Sequence, residues 1–396
     1  MTPKVTIIAD DLTGALDVAG PFASRGHRTW VVVDEGKCEA AVLQDAEVVS
    51  INSASRHLAP AVAAESIRRI SGRLCSPSTQ VAIKKIDSTL RGNVAAETLA
   101  MMDATGRSNA ILAPAFPAQG RTFVDGVVYV NGVPLSRTGF ARDALSPPPL
   151  EPLDVVFRSQ APGAKVFKVS ADGPFELAAR DEGQRVFIVD GQSDADLQRT
   201  VEALAQRLSD CILVGSAGVA AAVARVCMPS GPARPRPVAS GQLLVVVGSR
   251  AEQSALQVDA LSLEEGVQIY AAPNGQLETL AAQTSDAPTI VLRSTSVTGG
   301  KEGNAEEVAV SLARHTAEVL RTRPIGALVA TGGDTAIAIL HVLAQSALEV
   351  MGDLLPGIPY CRLVVDGRAV WLITKAGGFG TRDTFTELTR LLHPPS

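Results

Sequence analysis

The chain has 396 residues, more than a single hydrophobic core ordinarily serves, so two domains are expected, each long enough to bury its own core. It is 46% hydrophobic but only 4% aromatic, which excludes disorder over most of its length and suits helices packed on buried parallel strands. A formal net charge of −5, with no Lys/Arg cluster interleaved with aromatics, argues against nucleic acid and anionic membrane as partners.

Short β-branched runs alternate with longer Ala/Leu-rich amphipathic stretches from end to end. That is the rhythm of βαβ units, so the predicted fold class is α/β, with two domains, each a mainly parallel sheet flanked by helices. The first strand, Val5–Ala9, is too short for the core of a signal peptide and breaks at once into two aspartates. No later stretch reaches the roughly 18 consecutive apolar residues of a spanning helix, so a cytoplasmic protein is expected. Thr29–Asp34, Glu47–Ile51, Gln80–Lys84 and Asn109–Ala113 continue the first sheet, with helices at Pro60–Leu74 and Val94–Thr105. Residues 125–135 break the rhythm: two apolar runs flank Asn131-Gly132, a pair that favours the positive φ values of a hairpin turn. A Pro-rich bend at Ser146–Pro152 follows, then strands near Lys165–Val169, Arg185–Val189 and Cys211–Val214 and a helix near Ala217–Val226.

Met228–Ser240 holds four prolines and a glycine and cannot sustain a helix or a central strand. It divides the chain into an N-terminal domain, residues 1–228, a linker at 229–240, and a C-terminal domain, residues 241–396. Strands of the second block are predicted at Leu243–Val247, Thr289–Leu292, Ile325–Ala330, Leu363–Asp366 and Val370–Thr374. Five cysteines stand singly, with no CxxC pair, so neither a disulfide framework nor a zinc site is indicated, and a reducing compartment fits.

Ligands of open parallel sheets bind beyond the carboxyl ends of strands, so polar residues directly after apolar runs carry the functional signal. After Ala9 come Asp10, Asp11 and Thr13, suited to bind substrate hydroxyls, hold Mg²⁺ or act as a general base, while one of the two aspartates is expected to cap the helix. Lys84, Lys85, Ile86, Asp87, Ser88, Thr89 and Arg91 form a positive, hydrogen-bond-rich segment suited to a carboxylate or phosphate, and the two lysines must point to opposite faces of their strand. Arg56 follows a third strand and adds a cation, and the Ala113–Arg121 loop, stiffened by two prolines, follows a fourth. In the second block Gly332, Gly333, Asp334 and Thr335 stand at a strand-to-helix turn where backbone and helix N-terminus can meet a phosphate. Further Gly turns occur at Gly248-Ser249-Arg250 and at Gly377-Gly378, suggesting a nucleotide cradle. It is not a Walker P-loop, and no GxGxxG follows the first strand.

Taken together, ADDLTGA (Ala9–Ala15), KKIDSTLRGN (Lys84–Asn93), APAFPAQGR, TGGDT (Thr331–Thr335) and AGGFG (Ala376–Gly380) resemble the four-carbon acid sugar kinase family over nearly the whole chain. The resemblance implies an N-terminal sugar-acid-binding domain, a C-terminal nucleotide-binding domain, and ATP-dependent phosphorylation of threonate, erythronate or a 3-oxo-tetronate. It also implies that Asp10 or Asp11, Arg56 and Lys84–Thr89 touch the acid, and that Ser249, Gly332–Thr335 and Gly377-Gly378 touch ATP. Two departures stand out: Arg250 occupies a place where the family more often has a small or hydroxyl residue, and Asn52-Ser53-Ala54-Ser55 lacks an acidic residue that many relatives carry before the arginine.

Phosphoryl transfer asks mainly for in-line positioning and charge neutralisation. Lys84, Lys85, Arg56 and Arg91 are candidates to clamp the acid's carboxylate, and the Thr331–Thr335 turn to hold the β- and γ-phosphates. Mg²⁺ is expected to bridge those phosphates, with Asp334 a candidate ligand and no complete ligand set assigned. Asp10, Asp11, Asp87 and Asp334 are the candidates for the group that takes or orients the hydroxyl proton. Domain closure about the linker is expected to exclude water. The expected partners are the sugar acid and ATP, with a homodimer left open. The rival readings are a nicotinamide-dependent sugar-acid dehydrogenase, against which the missing GxGxxG speaks, and a sugar-acid sensor without turnover.

Overall fold

The computed structural model describes residues 3–38, 43–75, 79–143, 146–177, 183–277, 286–295 and 304–394. The chain divides into two compact units, Met1–Glu35 with Glu39–Ala233, and Gly36–Cys38 with Arg234–Ser396. The division after Ala233 falls within the Pro-rich segment, where residues 229–239 form neither helix nor strand.

The first unit runs β1 (Val5–Ala9), α1 (Leu12–Ser24), β2 (Thr29–Val32), β3 (Val48–Asn52), α2 (Pro60–Leu74), β4 (Val81–Lys85), α3 (Val94–Thr105) and β5 (Asn109–Ala113). Three short strands follow, β6 (Arg121–Val124), β7 (Val127–Val130) and β8 (Val133–Pro134), then α4 (Leu153–Gln160), β9 (Lys165–Val169), β10 (Arg185–Val189), α5 (Asp194–Leu204), β11 (Cys211–Gly215) and α6 (Ala217–Cys227). The sheet order is β2-β3-β1-β4-β11-β5-β10-β9, parallel throughout. Strands β1, β3, β4, β5 and β11 are buried at every position, which is why their sequences run apolar without alternation: both faces carry helices. Helix α2 shows the complementary pattern, burying Ala63, Ala64, Ile67, Ile70 and Ser71 along one stripe, with Pro60 in its first turn where a missing N–H costs nothing. Helix α3 ends at Gly106, whose φ of 64° closes it without a Cβ clash.

The hairpin expected around Asn131-Gly132 is present, both residues at positive φ, but it is the second half of a three-stranded antiparallel meander. The first turn, Asp125-Gly126, repeats the same left-handed pair at φ 55° and 83°.

The second unit runs β12 (Gln242–Val247), α7 (Glu252–Leu261), β13 (Val267–Pro273), β14 (Thr289–Thr295), α8 (Ala305–Thr322), β15 (Ile325–Thr331), α9 (Gly333–Val342), β16 (Ala347–Leu355), β17 (Ile358–Val365), β18 (Arg368–Lys375) and α10 (Thr384–Leu392). Its strands are ordered β13-β14-β12-β15-β18-β17-β16, parallel as far as β18 and antiparallel beyond it. Leu243, Val245, Val247, Val329, Ile373, Phe385, Leu388 and Leu392 form part of one buried core between this sheet, α7 and α10.

Both sheets contain a point where the chain reverses its direction of strand addition. From β1 the first unit adds β2 and β3 on one side and then crosses to β4 on the other, and from β12 the second adds β13 and β14 and then crosses to β15. Loops leaving neighbouring strands at such a point diverge and leave a crevice at the carboxyl ends.

Candidate functional site

In the first unit Ala9 lies beside both Asn52 and Lys85, so the loops after β1, β3 and β4 emerge side by side. Arg56, from the loop after β3, is buried in their midst and forks to two carboxylates at once. Its Nε and Nη2 donate to Asp10 at 2.7 and 3.0 Å, and its Nη1 and Nη2 donate to Asp11 at 2.8 Å each. Asp87, 3.9 Å from the same guanidinium, accepts a second fork from Arg91 at 2.8 and 3.0 Å and bonds from the amide and hydroxyl of Thr89. Arg91 in turn reaches Asp143 at 3.1 Å. Five sequence-predicted residues thus form a single lattice of planar, charge-assisted pairs.

Asp11 also fills the helix-cap role: its Oδ1 accepts the Gly14 amide at 2.8 Å and its Oδ2 the Thr13 hydroxyl at 2.7 Å. Gly92 stands against Arg56 and Asp10 at a φ of 88°, a conformation that favours glycine. Burial alone would raise the carboxyls, but at Asp87 the charges of Arg91 and Arg56 prevail and hold it well below the usual range. At Asp11 burial is likewise outweighed by Arg56 and Lys85, and the carboxyl is lowered. Arg56 is raised well above its ordinary value, burial being overcome by Asp10, Asp11 and Asp87. The cluster is therefore ionised throughout its aspartates Asp11 and Asp87, acceptor-only groups suited to hydroxyl donors. Asp10 is nearly enclosed, with 3% of its side chain exposed, whereas Asp11, Arg91 and Asp143 are 19–26% exposed and form the accessible edge.

The paired lysines of β4 part as strand geometry demands. Lys85 turns under the cluster, its Nζ 3.6 Å from Asp17 of α1 and donating to the Ile86 carbonyl at 3.0 Å. Lys84 goes to the other face, wholly buried and 2.7 Å from Glu97 of α3, so its ammonium is committed to that carboxylate and is not directed at the Arg56 cluster. Ser88 and Thr89 are buried beside Asp87. Asp17, Glu97 and Asp143 carry no such sequence signal: they lie on helices or a distant loop, where a charged residue gives no local sign of burial. Burial pushes Asp17 up to about 7, although Lys85 opposes the shift.

In the second unit Val247, Thr331 and Lys375 are in register, so the turns after β12, β15 and β18 also emerge together. They touch closely. A Cβ on Gly248 would meet the Thr335 hydroxyl at 2.0 Å, one on Gly377 the Ser249 hydroxyl at 2.1 Å, and one on Gly332 would contact Ser249 at 3.4 Å. Gly332 has a φ of 101° and caps α9, so the first amides of that helix point out of the turn beside Gly333. Thr335 is buried and Asp334, in the first turn of α9, is exposed and makes no ion pair among the described residues. Arg250 is exposed. Lys375, at the end of β18 where nothing in the sequence signals burial, lies wholly buried beneath the Gly377 turn.

One unit thus presents a carboxylate–guanidinium lattice suited to a polyhydroxy acid, the other a glycine-built, amide-lined cradle suited to phosphate. Two family models match the chain in this order: the sugar-binding N-terminal domain over residues 5–223 and the nucleotide-binding C-terminal domain over residues 244–385. The chain belongs to the four-carbon acid sugar kinase family. A D-threonate kinase of Bordetella bronchiseptica is 34% identical, with 98% of each chain covered, and a 3-oxo-tetronate kinase of Brucella melitensis is 27% identical over 98% of this chain and 95% of its own. A Salmonella typhimurium structure described as a putative tRNA synthase shares the fold, with a TM-score of 0.77 at 20% identity, covering 98% and 99% of the two chains. A Bordetella bronchiseptica structure, a domain-swapped dimer with bound citrate, matches at a TM-score of 0.50 and 29% identity over 98% of each chain. Among the described residues no helix is long and apolar enough to cross a membrane.

Proposed function

We propose that this kinase transfers the γ-phosphoryl group of ATP to a hydroxyl of a four-carbon sugar acid, with D-threonate the first candidate. The observation that carries the reading is the double fork of Arg56 onto Asp10 and Asp11, joined to the Asp87–Arg91 fork at the carboxyl ends of β1, β3 and β4. Asp11 and Asp143 at its accessible edge accept substrate hydroxyls, and Arg91 meets the carboxylate. Bound citrate in the Bordetella structure, itself a hydroxy acid, is consistent with such a site, and the D-threonate name of the 34%-identical relative favours that tetronate.

In the second unit Ser249, Gly332, Gly333, Thr335, Gly377 and Gly378 supply the phosphate cradle. Mg²⁺ usually takes one or two carboxylates together with substrate phosphates. Exposed Asp334 beside the cradle fits that demand, while among the described residues no group of three His, Cys, Asp or Glu side chains gathers to hold a metal by protein alone. When bound, Mg²⁺ neutralises charge on the β- and γ-oxygens. Asp87, held well below its usual range, and Asp11, also lowered, are poor proton acceptors and orient the hydroxyl; Asp10, locked in the Arg56 fork, sets the geometry. Asp334 is then the carboxylate left for metal or proton. Asp334→Asn that abolishes turnover with ATP affinity intact assigns the base, and one that weakens Mg²⁺-dependent ATP binding assigns the metal.

Coupled ADP release with ATP and Mg²⁺, screened over both enantiomers of threonate and erythronate and the 3-oxo-tetronates, tests the reading. Turnover with D-threonate is expected; no turnover with any of them in folded, ATP-binding protein overturns the substrate class.

A further inference from the structure

Lys375, the last residue of β18, has no exposed surface. Its Nζ donates to three carbonyls of the turn that follows, Ala376 at 2.9 Å, Gly377 at 3.2 Å and Phe379 at 3.1 Å, so all three ammonium hydrogens are used on one loop. The Phe385 ring of α10 closes the pocket, its centroid 5.5 Å from Nζ. Among the described residues no carboxylate lies within 4.0 Å of this nitrogen, so the charge is matched by oriented peptide dipoles alone. Two donors from α7 act in the same sense: the Ser254 hydroxyl bonds the Gly377 carbonyl at 2.9 Å, and the Gln257 amide bonds those of Phe379 and Thr381 at 3.0 and 2.8 Å.

In a planar trans peptide the C=O and the following N–H point in opposite directions. Drawing the carbonyls of Ala376, Gly377 and Phe379 inward therefore turns the amides of Gly377, Gly378 and Gly380 toward the half-exposed outer side of the turn, where Ser249 and the α9 N-terminus stand. Successive amides facing one way make a concave site for an anion.

We propose that Lys375 is a positioning residue for nucleotide binding: without touching the ligand, its buried amino group fixes the Ala376–Gly380 turn so that its amides receive a phosphate group of ATP or ADP. The inference rests on the nucleotide reading of this turn and adds to it the residue that makes the turn competent. Burial pushes Lys375 down to about 7, so opening the turn to water takes up a proton at this nitrogen and the closed turn is favoured as pH rises. The groups facing Nζ are the three carbonyls and the Phe385 ring, none of which titrates.

The test uses the full chain and its Lys375→Met variant. Titration with Mg²⁺-ADP is expected to give a Kd raised roughly tenfold or more in the variant, with KM for ATP rising likewise and KM for the acid unmoved. Hydrogen exchange of the 376–380 amides without nucleotide, corrected for intrinsic rate, is expected to slow in wild type between about pH 6 and about pH 8.5 and to be fast at both in the variant. Wild-type affinity for ADP in the variant overturns the proposal. Should the variant fail to fold, wild-type loop exchange that does not change over that range overturns it. Wild-type protein that binds no ADP overturns the nucleotide reading on which it rests, and that outcome is separate from a loop whose exchange ignores Lys375.

Discussion

Arg56 holds two carboxylates and approaches a third, and its removal leaves Asp10 and Asp11 buried without their counter-charge. Breaking a buried pair from one side costs about 3–5 kcal/mol, so Arg56→Met should lower the stability of the first unit by that order in urea denaturation. Arg56→Lys keeps the charge but has no planar fork to span both aspartates; it should lose less stability yet weaken acid binding at least about tenfold, as calorimetry with D-threonate would measure. Full acid affinity in the lysine variant would show that the fork does not shape the site. Asp10, Asp11, Arg56, Asp87 and Arg91 could be read from sequence because each lies in the loop that leaves an apolar strand, where topology makes polarity informative. Their supports could not. Asp17 and Glu97 sit within helices, Asp143 in a loop 52 residues from Arg91, and nothing local says that these charges are buried or paired. Lys375 was equally silent, since a lysine ending a strand usually reaches solvent.

The turns after β12, β15 and β18 work through close approach. Gly377→Ala would drive a Cβ into Ser249, with contacts at 2.1 Å to its hydroxyl and 3.3 Å to the Ala251 Cβ, so the turn or Ser249 must shift. Overpacking of this kind costs about 1–3 kcal/mol where backbone must move. The variant should raise KM for ATP severalfold while D-threonate still binds the first unit with unchanged affinity; a normal ATP KM would show that the approach is slack. Gly332→Ala adds a second strain, a φ of 101° that an alanine rarely adopts. These elements were foreseen because apolar strands ending in Gly turns are distinctive. Strands β13 and β16 were not: Val267–Pro273 buries only Ala272 fully and ends in proline, and Ala347–Leu355 mixes Glu349 and Asp353 into its run. As the outermost strands of the unit's sheet they lack the two buried faces that make β12 and β15 legible. Helices α4 and α5 were passed over because each is short and flanked by the Pro, Gly and Ser residues that also mark loops.

The two units carry their ionisable strain in opposite ways. In the first, Asp87 and Asp11 are lowered: burial opposes ionisation, but Arg91 and Arg56 overcome it. A carboxyl whose folded pKa is depressed stabilises the fold above its unfolded value, here the ordinary 3.8, and the contribution is lost as pH falls through the folded value. Asp17 is the reverse case, raised to about 7 by burial, so the folded unit holds a proton that the unfolded chain releases and stability declines as pH rises from about 4 to about 7. In the second unit the depressed group is Lys375, whose folded value near 7 makes stability rise with pH above it. Acidification below about pH 4 should therefore unfold the first unit ahead of the second, with hydrogen exchange appearing in β1, β3 and β4 while β12, β15 and β18 stay protected. Asp17→Asn should flatten the decline of the first unit's stability between about pH 4 and about pH 7 and leave its acid transition in place. Simultaneous loss of protection in both sheets would mean that the two units unfold as one cooperative body, and that the carboxylate lattice stabilises the whole chain rather than the unit that contains it.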